Sequence, residues 1–397
     1  MHEDTFPGLL HRNSRQWDDQ RVALRKKQYG LWKEYTWRQC YEKVRACSLG
    51  LLALGLDSGD RVCILGDTTP EWFWSQLAAQ AVAGIAVGLS PGASGEEAAY
   101  VLADSQAKFV LAQDQEQVDK LLGIRDRLPA LRRIVYWDDR GLRRYNDGML
   151  VSLSEMIRLG EEADASHPGR FDERLRSVNS DDVAIVLYAA VAGEQADPLP
   201  LSHRFLLSCV QAAQSLHTVF PGEEYVSMAF PGWFFEQIFG FGNWLLAGQT
   251  VNFAERVETA TTDMREVSPH VLVYPSQVWE AIATAINTGV GNGVWLKRTL
   301  FRWAMSLAYA QANSPAPRGQ APLLRRLLRR IAEIAVFRPL RDKHGFDRLR
   351  VAFAAGSPLS PDTLRFFNAI GVNVVQVFGS SRDGIVTEQP DEHLRIE

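Results

Sequence analysis

Arg61-Val-Cys-Ile-Leu-Gly66 is an apolar run that leads into a turn signal, Asp67-Thr-Thr-Pro70. Short apolar runs bounded by turn residues predict buried strands. The elements predicted after this turn are, in order, a helix at 71–82, a strand at 85–89, a helix at 96–103 and a strand at 108–112. Strands that alternate with helices at this spacing indicate βαβ units and a parallel sheet.

The same alternation returns later in the chain. Further strands are predicted at 183–188, 271–274, 349–353 and 372–378. The residues alone therefore predict an α/β fold.

Two segments interrupt this alternation. Residues 138–180 are charged and poor in strand signals, so we expect a surface excursion between two sheet regions. Residues 313–322 predict a proline-rich loop.

An amphipathic helix with a basic face is predicted directly after that loop, from Leu323. Nine lysines and arginines stand against three acids between 323 and 350, in a chain whose net charge is −4. A solvated helix face, an acidic partner and a peripheral contact with an anionic membrane are all compatible with this pattern. The arginines available for a membrane contact are Arg325, Arg326, Arg329 and Arg330.

Composition excludes several classes of protein. The 397 residues, 46% of them apolar, suffice for two or three structural units with large cores. The slightly acidic charge gives no basic footprint for nucleic acid, and no apolar run is long enough to span a membrane. The N-terminus lacks the pattern of a signal peptide, and Cys40, Cys47, Cys63 and Cys209 follow no metal-ligand spacing. We therefore expect buried free thiols and a cytoplasmic protein.

No catalytic motif is intact. Gly289-Val-Gly-Asn-Gly293 follows a helical pattern rather than a strand, so we expect a flexible turn and not a dinucleotide loop. Phe378-Gly-Ser-Ser-Arg-Asp-Gly384 follows a strand and resembles a nucleophile elbow, but Asp383 stands where the second glycine is needed.

The order of the segments, however, resembles that of one known family. Gly59-Asp-Arg-Val-Cys-Ile-Leu-Gly-Asp67 with Pro70-Glu-Trp72 is similar to the opening of the acyl-CoA synthetases, in the adenylate-forming (AMP-binding) superfamily. Within that family, the segments resemble those of the bacterial long-chain fatty acid–CoA ligases. The other matching segments are 83–89, 100–105, Asp181-Asp-Val-Ala-Ile-Val-Leu-Tyr188, Leu201-Ser-His203, 275–280, Ala355-Gly-Ser-Pro-Leu359 and Gln376-Val-Phe-Gly379.

The resemblance implies two mostly parallel sheets flanked by helices. It also implies a first α/β subdomain at 1–180, a second at 181–345 with the phosphate loop, and at 346–397 the end of the nucleotide-site sheet. An incomplete small β subdomain would begin in that last range, and the family's mobile C-terminal domain would be absent.

The activity that the resemblance implies is the formation of an acyl-adenylate from ATP, Mg²⁺ and a carboxylic acid, followed by transfer to coenzyme A. That chemistry uses a hydroxyl- and glycine-rich loop with a lysine, because several donors must converge on the phosphates. It also uses a Thr-Glu pair after a Tyr-Gly strand end, for the α-phosphate and the metal.

The phosphate loop departs from the family pattern without any change in length. Its hydroxyl positions are Ala189, Ala190, Ala192 and Gly193, and its lysine position is Asp197. Glu194 adds a second acid, while Pro198 and Pro200 remove amide donors. We expect that this loop does not bind ATP.

The second motif departs as well. Ser381 stands for the threonine, and Arg382 stands where the magnesium-binding carboxylate is expected. Arg382 could pair with a phosphate or form a structural salt bridge. The predicted vestigial nucleotide cleft consists of Tyr188, Gly193, Gly356, Ser357, Phe378, Gly379 and Ser381.

An aromatic segment, Phe230-Pro-Gly-Trp-Phe-Phe-Glu-Gln237, occupies the region of the family's acyl pocket. Trp233, Phe234 and Phe235 could line a lipid tunnel or belong to the core.

Three functions remain open at this point. The first is an inactive acyl-CoA synthetase homologue, a pseudoenzyme that binds an acyl chain, an acyl-CoA or a protein partner and needs no cofactor or metal. The second is an active fatty acyl-CoA ligase that holds ATP and Mg²⁺ through unconventional contacts. The third is a structural subunit that acts through self-assembly.

Overall fold

The computed structural model describes residues 3–189, 197–312 and 323–388. The proline-rich segment at 313–322 and most of the predicted phosphate loop lie outside these ranges. The described strands form two mostly parallel sheets flanked by helices, which confirms the predicted fold class. They are β1 (Val22–Gln28), β2 (Leu31–Thr36), β3 (Arg61–Leu65), β4 (Ile85–Leu89), β5 (Phe109–Ala112), β6 (Arg133–Tyr136), β7 (Leu150–Ser152), β8 (Val183–Ala189), β9 (Asp197–Ser202), β10 (Glu224–Ser227), β11 (Thr250–Phe253), β12 (Val271–Pro275), β13 (Val351–Ala355), β14 (Val374–Ser380) and β15 (Gly384–Glu388).

The helices fill the intervals between these strands. They are α1 (Phe6–Trp17), α2 (Trp37–Ala53), α3 (Pro70–Gln80), α4 (Gly95–Asp104), α5 (Gln115–Ile124), α6 (Leu153–Ser166), α7 (Arg170–Ser177), α8 (His203–Leu216), α9 (Phe234–Glu236), α10 (Asn243–Ala247), α11 (Ala260–Val267), α12 (Ser276–Gly291), α13 (Trp295–Ala312), α14 (Leu323–Ala332), α15 (Arg338–Lys343) and α16 (Pro361–Ala369).

The chain divides into two compact units. Unit 1 comprises residues 1–222 and 227–253, and unit 2 comprises residues 223–226 and 254–397. The three ranges implied by the family resemblance, 1–180, 181–345 and 346–397, stay a prediction. So does the incomplete β subdomain near the C-terminus, since the description ends with β15.

Unit 1 contains a seven-stranded sheet in the order β7-β6-β5-β3-β4-β8-β9. All of its pairs are parallel except β8–β9. β11 and β1, which pair in parallel, and β2, which is antiparallel to β1, also belong to unit 1. Stacking of Trp37 on Trp244, with ring centroids 5.4 Å apart, is part of a large aromatic core.

In unit 2 the strand order is β15-β14-β13-β12-β10, and only β14–β15 is antiparallel among its paired strands. Trp279 of α12 is fully buried here, and its indole N–H donates to the carbonyl oxygen of Phe353 at 3.0 Å. This bond connects a helix directly to the central strand β13.

The expected surface excursion at 138–180 is wrong. β7 extends the seven-stranded sheet, and α6 packs closely against α2. A Cβ atom at Gly160 would lie 2.0 Å from the carbonyl oxygen of Ala46, so only glycine permits this approach. Met156, one turn earlier, is fully buried. The pair Met156 and Gly160 at helical spacing was the available signal.

The turn expected at 289–293 begins later than predicted. α12 continues to Gly291, and the turn starts at Asn292. No strand precedes these glycines, in agreement with the rejection of a dinucleotide loop.

All four cysteines are buried free thiols, as predicted. Burial raises the pKa of Cys40 and of Cys47 to about 12, because a thiolate is poorly solvated in an apolar core. These thiols are therefore protonated and unreactive at neutral pH.

Candidate functional site

Tyr188 lies near the carboxyl end of β8, in the seven-stranded sheet. β8 pairs with β4 in parallel, with Val186 opposite Val87. The Tyr188 hydroxyl donates to Oδ2 of Asp104 at 2.7 Å, and its ring meets the Tyr100 ring edge-on. Burial, and then this hydrogen bond, raise the pKa of Tyr188, so the phenol is neutral at physiological pH.

Asp197, at the position of the family's lysine, begins β9 on the other side of the hairpin. Asp197 pairs with Ala189 and Pro198 pairs with Tyr188 in the antiparallel register. The Asp197 side chain is exposed. β9 is an edge strand, which explains why Pro198 and Pro200 are tolerated there. Gly193 and residues 190–196 lie outside the described part of the chain.

The Leu-Ser-His segment after the loop starts α8. Ser202 caps the helix by accepting from the amide N–H of Phe205. His203 is buried, and its Nδ1 accepts from the amide N–H of Phe6 at 3.3 Å. Burial lowers the pKa of His203 to about 3, so this imidazole is neutral and has a structural role.

The aromatic segment 230–237 lies against the carboxyl ends of β3 and β4. The Thr68 hydroxyl, just after β3, donates to the carbonyl oxygen of Ala229 at 3.0 Å. A Cβ atom at Gly88 of β4 would come within 2.9 Å of Cα of Gly232. This part of unit 1 thus occupies the same edge of the sheet as the end of β8, because parallel strands end together.

The three aromatic residues predicted for an acyl pocket differ in exposure. Phe234 and Phe235 are buried, with ring centroids 5.3 Å apart. Trp233 is half-buried and packs against Phe235. Burial of the two phenylalanines agrees with the core interpretation for them, while a lipid tunnel stays a prediction.

Buried polar residues support this segment, and the sequence alone did not reveal them. Gln76 and Gln237 exchange two amide hydrogen bonds, of 2.7 and 2.9 Å, and Gln237 also donates to the carbonyl oxygen of Pro231. The fully buried Glu236 accepts from the Ser227 hydroxyl. These contacts fix the backbone next to Trp233, since buried polar groups are stable only when they are paired.

In unit 2, Gly356 directly follows β13. Its φ of +90° is a backbone conformation that favours glycine. The next residue, Ser357, is held by two side chains of α12: its carbonyl oxygen accepts from the Ser276 hydroxyl, and its hydroxyl accepts from Nε2 of Gln277 at 3.1 Å.

Phe378 and Gly379 lie on the neighbouring strand β14, which runs parallel to β13 with Val377 opposite Ala355. Phe378 is 40% exposed. A Cβ atom at Gly379 would lie 2.5 Å from the carbonyl oxygen of Gly384, so glycine is required by the hairpin with β15. The strand–turn–strand geometry also excludes a nucleophile elbow, which needs a helix after the turn.

Ser381 and Arg382 form the turn of that hairpin. The Ser380 hydroxyl donates to Oδ2 of Asp383 at 2.7 Å and accepts from the amide N–H groups of Arg382 and Asp383. Ser381 is partly exposed, and the Arg382 side chain is exposed. The spacing of Ser380 and Asp383 is typical of a polar turn and was a signal for it.

The predicted cleft residues therefore form two groups. In unit 1, the cleft residue Tyr188 lies on β8 opposite Pro198, and Asp197 pairs with the next residue, Ala189. The remaining described residues share the carboxyl end of two adjacent strands in unit 2: Gly356, Ser357, Phe378, Gly379 and Ser381.

A model of the AMP-binding enzyme family matches residues 10–393. The chain belongs to this family. The match covers both hairpins described above, and it confirms the family that the sequence segments indicated.

Curated relatives are fatty acid–CoA ligases. The long-chain-fatty-acid–CoA ligase ACSBG2 of Xenopus laevis is 27% identical over 369 residues, which cover 91% of this chain and 49% of that protein. ACSBG1 of Rattus norvegicus, with the same enzyme name, is 25% identical, covering 90% of this chain and 50% of that protein. The chain thus spans about half the length of these relatives.

Solved adenylation domains share the fold. The adenylation domain of a carboxylate reductase from Mycobacterium chelonae superimposes with a TM-score of 0.70 at 17% identity, covering 97% of this chain and 59% of that one. The anthranilate CoA ligase AuaEII, in complex with anthranoyl-AMP, gives a TM-score of 0.69 at 16% identity, covering 98% and 62%.

A helix that spans a membrane must reach a certain length and hydropathy. Within residues 3–189, 197–312 and 323–388, no helix is both long and apolar enough to cross a bilayer.

Proposed function

We propose that this family member does not form acyl-adenylates and acts as a binding or scaffolding subunit, a pseudoenzyme of the acyl-CoA synthetase type. The observation that carries the proposal is the charge of the β8–β9 hairpin. An exposed carboxylate, Asp197, pairs with Ala189, the residue after Tyr188, at the position where the family pattern has a lysine. A triphosphate at this position would meet a like charge instead of a counter-charge.

The turn after β14 supports the proposal independently. Arg382 stands at the position of the metal-binding carboxylate, and a guanidinium cannot coordinate Mg²⁺ because it has no acceptor atom. The neighbouring Ser380 hydroxyl is committed to its own turn through Asp383. The residues present here therefore fit a magnesium–nucleotide complex poorly.

The size of the electrostatic effect is considerable. Two unit charges at about 4 Å repel by about 1 kcal/mol in water and by about 4 kcal/mol near a protein surface. Reversal of one contact from attraction to repulsion thus weakens affinity by at least about tenfold. Arg382 acts separately, because its positive charge repels the metal ion that the family's carboxylate binds.

The proposed ligand is an acyl chain or an acyl-CoA, in line with the enzyme names of the relatives. Trp233, which is partly accessible in the aromatic segment, is the residue that we expect to contact it. A scaffolding role further implies a protein partner or self-assembly, and light scattering on the purified chain measures the self-assembly.

Calorimetric titration with ATP and Mg²⁺ tests the proposal. We expect no binding by the natural chain, and measurable binding by the double variant Asp197→Lys, Arg382→Glu, which restores the family's charges. The matched control is Asp126→Lys, because the Asp126 side chain is fully exposed and lies in a surface segment of unit 1. This control should bind no better than the natural chain.

Micromolar binding of magnesium ATP by the natural chain, with pyrophosphate release in the presence of a fatty acid, would contradict the proposal. It would support the alternative of an active ligase with unconventional phosphate contacts. Equal failure of natural chain and double variant would mean that charge at these two positions does not account for the loss.

A further inference from the structure

Helix α14 exposes a continuous apolar stripe. Leu324, Leu327, Ile331 and Ile334 are 68%, 57%, 45% and 63% exposed. Spacings of three, four and three residues place them on one side of the helix. The stripe continues beyond α14 into the π-helical turn at 333–337.

The stripe is not the side by which this helix packs on the core of unit 2. Ala332 and Phe337, on another side of the same helical segment, are buried and attach it to unit 2. The helix is therefore held by one side while the aliphatic stripe faces outward. Exposed aliphatic residues in a contiguous row are unusual on a soluble surface and mark interaction sites.

Arginines accompany the stripe. Arg326, Arg329 and Arg330 are exposed on α14. An amphipathic helix that combines aliphatic residues with arginines on its polar side matches an anionic lipid surface, where the aliphatic groups enter the acyl boundary and the arginines meet phosphates.

A second exposed apolar group belongs to the same unit. Val294, Trp295 and Leu296, at the start of α13, are 64%, 69% and 58% exposed. Lys297 and Arg298 follow directly and are exposed as well. Tryptophan prefers the interface between headgroups and acyl chains. Like α14, this second group therefore combines exposed apolar residues with basic neighbours.

We propose that unit 2 docks on an anionic phospholipid membrane, with α14 lying in the interface and its row Leu324, Leu327, Ile331 and Ile334 inserted. The contact is peripheral, in agreement with the absence of a spanning helix among the described residues. The proposal stands independently of whether the chain binds nucleotide.

Charge favours a membrane over a second copy of the chain. A twofold interface through the stripe would bring the same patch of both copies together, and Arg326 and Arg330, which directly precede Leu327 and Ile331, would approach their copies. Charged residues are also depleted from the cores of protein interfaces. A phosphate-rich surface instead neutralises these arginines at the place where the aliphatic residues are buried.

Vesicle flotation tests the proposal with the full chain. We expect binding to vesicles of phosphatidylcholine and phosphatidylglycerol in a two-to-one ratio, and little binding to phosphatidylcholine alone. Leu327→Glu should lower the partition coefficient by about tenfold or more, because a buried leucine becomes a charge. The matched control, Leu31→Glu, alters a residue that is 76% exposed in unit 1 and should leave binding unchanged.

The arginines are tested separately. Arg329→Gln with Arg330→Gln should weaken binding to anionic vesicles by about 25-fold, given about a fivefold effect per basic residue. The adjacent pair Arg143→Gln with Arg144→Gln, exposed in unit 1, is the control for net charge.

Equal binding to both vesicle types, no binding to either, or equal losses in test and control variants would overturn the proposal. A natural chain that is dimeric in solution and becomes monomeric with Leu327→Glu would assign the stripe to a second copy instead.

Discussion

The two groups of cleft residues differ in what they retain of the family pattern. At the end of β13 and β14 in unit 2, Gly356 has a positive φ and the Phe378 ring is partly exposed. In the β8–β9 hairpin of unit 1, the Tyr188 hydroxyl is bound to Asp104 and an acid follows on the paired strand. The unit 2 group is thus defined by backbone geometry, whereas the unit 1 group is defined by a side-chain hydrogen bond and a nearby carboxylate.

The comparison shows that the glycines of the site are constrained by the backbone, whereas its exposed charged residues are not. Gly356 and Gly379 are fixed by backbone geometry, because any other side chain strains a turn or collides with a neighbouring strand. Asp197 and Arg382 are exposed, so a change of their charge leaves the packing intact. The charge at these two exposed positions can therefore change without loss of the fold.

The largest expected effect concerns the support of the unit 2 group. Trp279→Ala removes a fully buried indole that packs against Tyr274 and Phe367 and donates to the Phe353 carbonyl. We expect a loss of about 3–5 kcal/mol in the free energy of unfolding, measured by urea denaturation.

Trp295→Ala is the matched control in the same unit. Its ring is 69% exposed, so the expected change is within about 0.5 kcal/mol. A similar small loss for Trp279→Ala would break the comparison, since the strand ends of unit 2 would then not depend on this buried ring. Hydrogen exchange of the β13 amides in the two variants locates the effect.

Much of the fold could be predicted from the sequence, because buried strands are recognisable as apolar runs. The run at 61–66 became β3, and that at 85–89 became β4. The predicted strand at 349–353 begins two residues later, at Val351, because Leu349 and Arg350 follow the turn at 347–348 and precede the first pair with β12, Val271 and Val351. The aligned segments also sufficed to identify the family.

Other features depend on contacts between distant residues, which a single sequence does not display. The helix α6 has a highly charged sequence, and only Met156 and Gly160 indicate that it packs on α2. The pairing of Gln76 with Gln237 joins residues 161 positions apart. The site was predictable only where it matched a motif, so the turn made by Ser380 and Asp383 was missed.

A smaller effect is expected in unit 1, where the buried His203 makes the free energy of unfolding depend on pH. The folded pKa of His203 is about 3, below the ordinary value of 6.5, so the unfolded chain takes up this proton first as the pH falls. Stability is therefore complete above pH 6.5 and is lost progressively towards pH 3. The expected slope is about 1.4 kcal/mol per pH unit, or about 2 kcal/mol between pH 6.5 and pH 5.

Unfolding by urea at several pH values measures this slope. His203→Asn should flatten it, whereas replacement of the exposed His167 by glutamine should not. A natural chain whose stability is constant from pH 6.5 to pH 5 would show that the segment after the hairpin is not held by a buried neutral imidazole.

The smallest expected effect addresses Tyr188 itself. Tyr188→Phe removes the hydroxyl that donates to Asp104, and we expect a loss of about 1 kcal/mol in the free energy of unfolding. Tyr145→Phe is the matched control, since its hydroxyl also donates to an aspartate, Asp119, at 2.6 Å. The Tyr145 bond lies in a better solvated position, so its removal should cost less.

An absorbance titration adds a readout that stability alone does not give. Because burial and Asp104 raise the pKa of Tyr188 above its ordinary value of 10.0, its phenol stays neutral just above that pH, and Tyr188→Phe should leave the number of ionised tyrosines unchanged there. A lower count in the variant would mean that the Tyr188 hydroxyl is solvated. The hydroxyl would then be accessible to a ligand, as the exposed Phe378 ring is in unit 2. The two groups of residues would in that case differ in charge but not in accessibility.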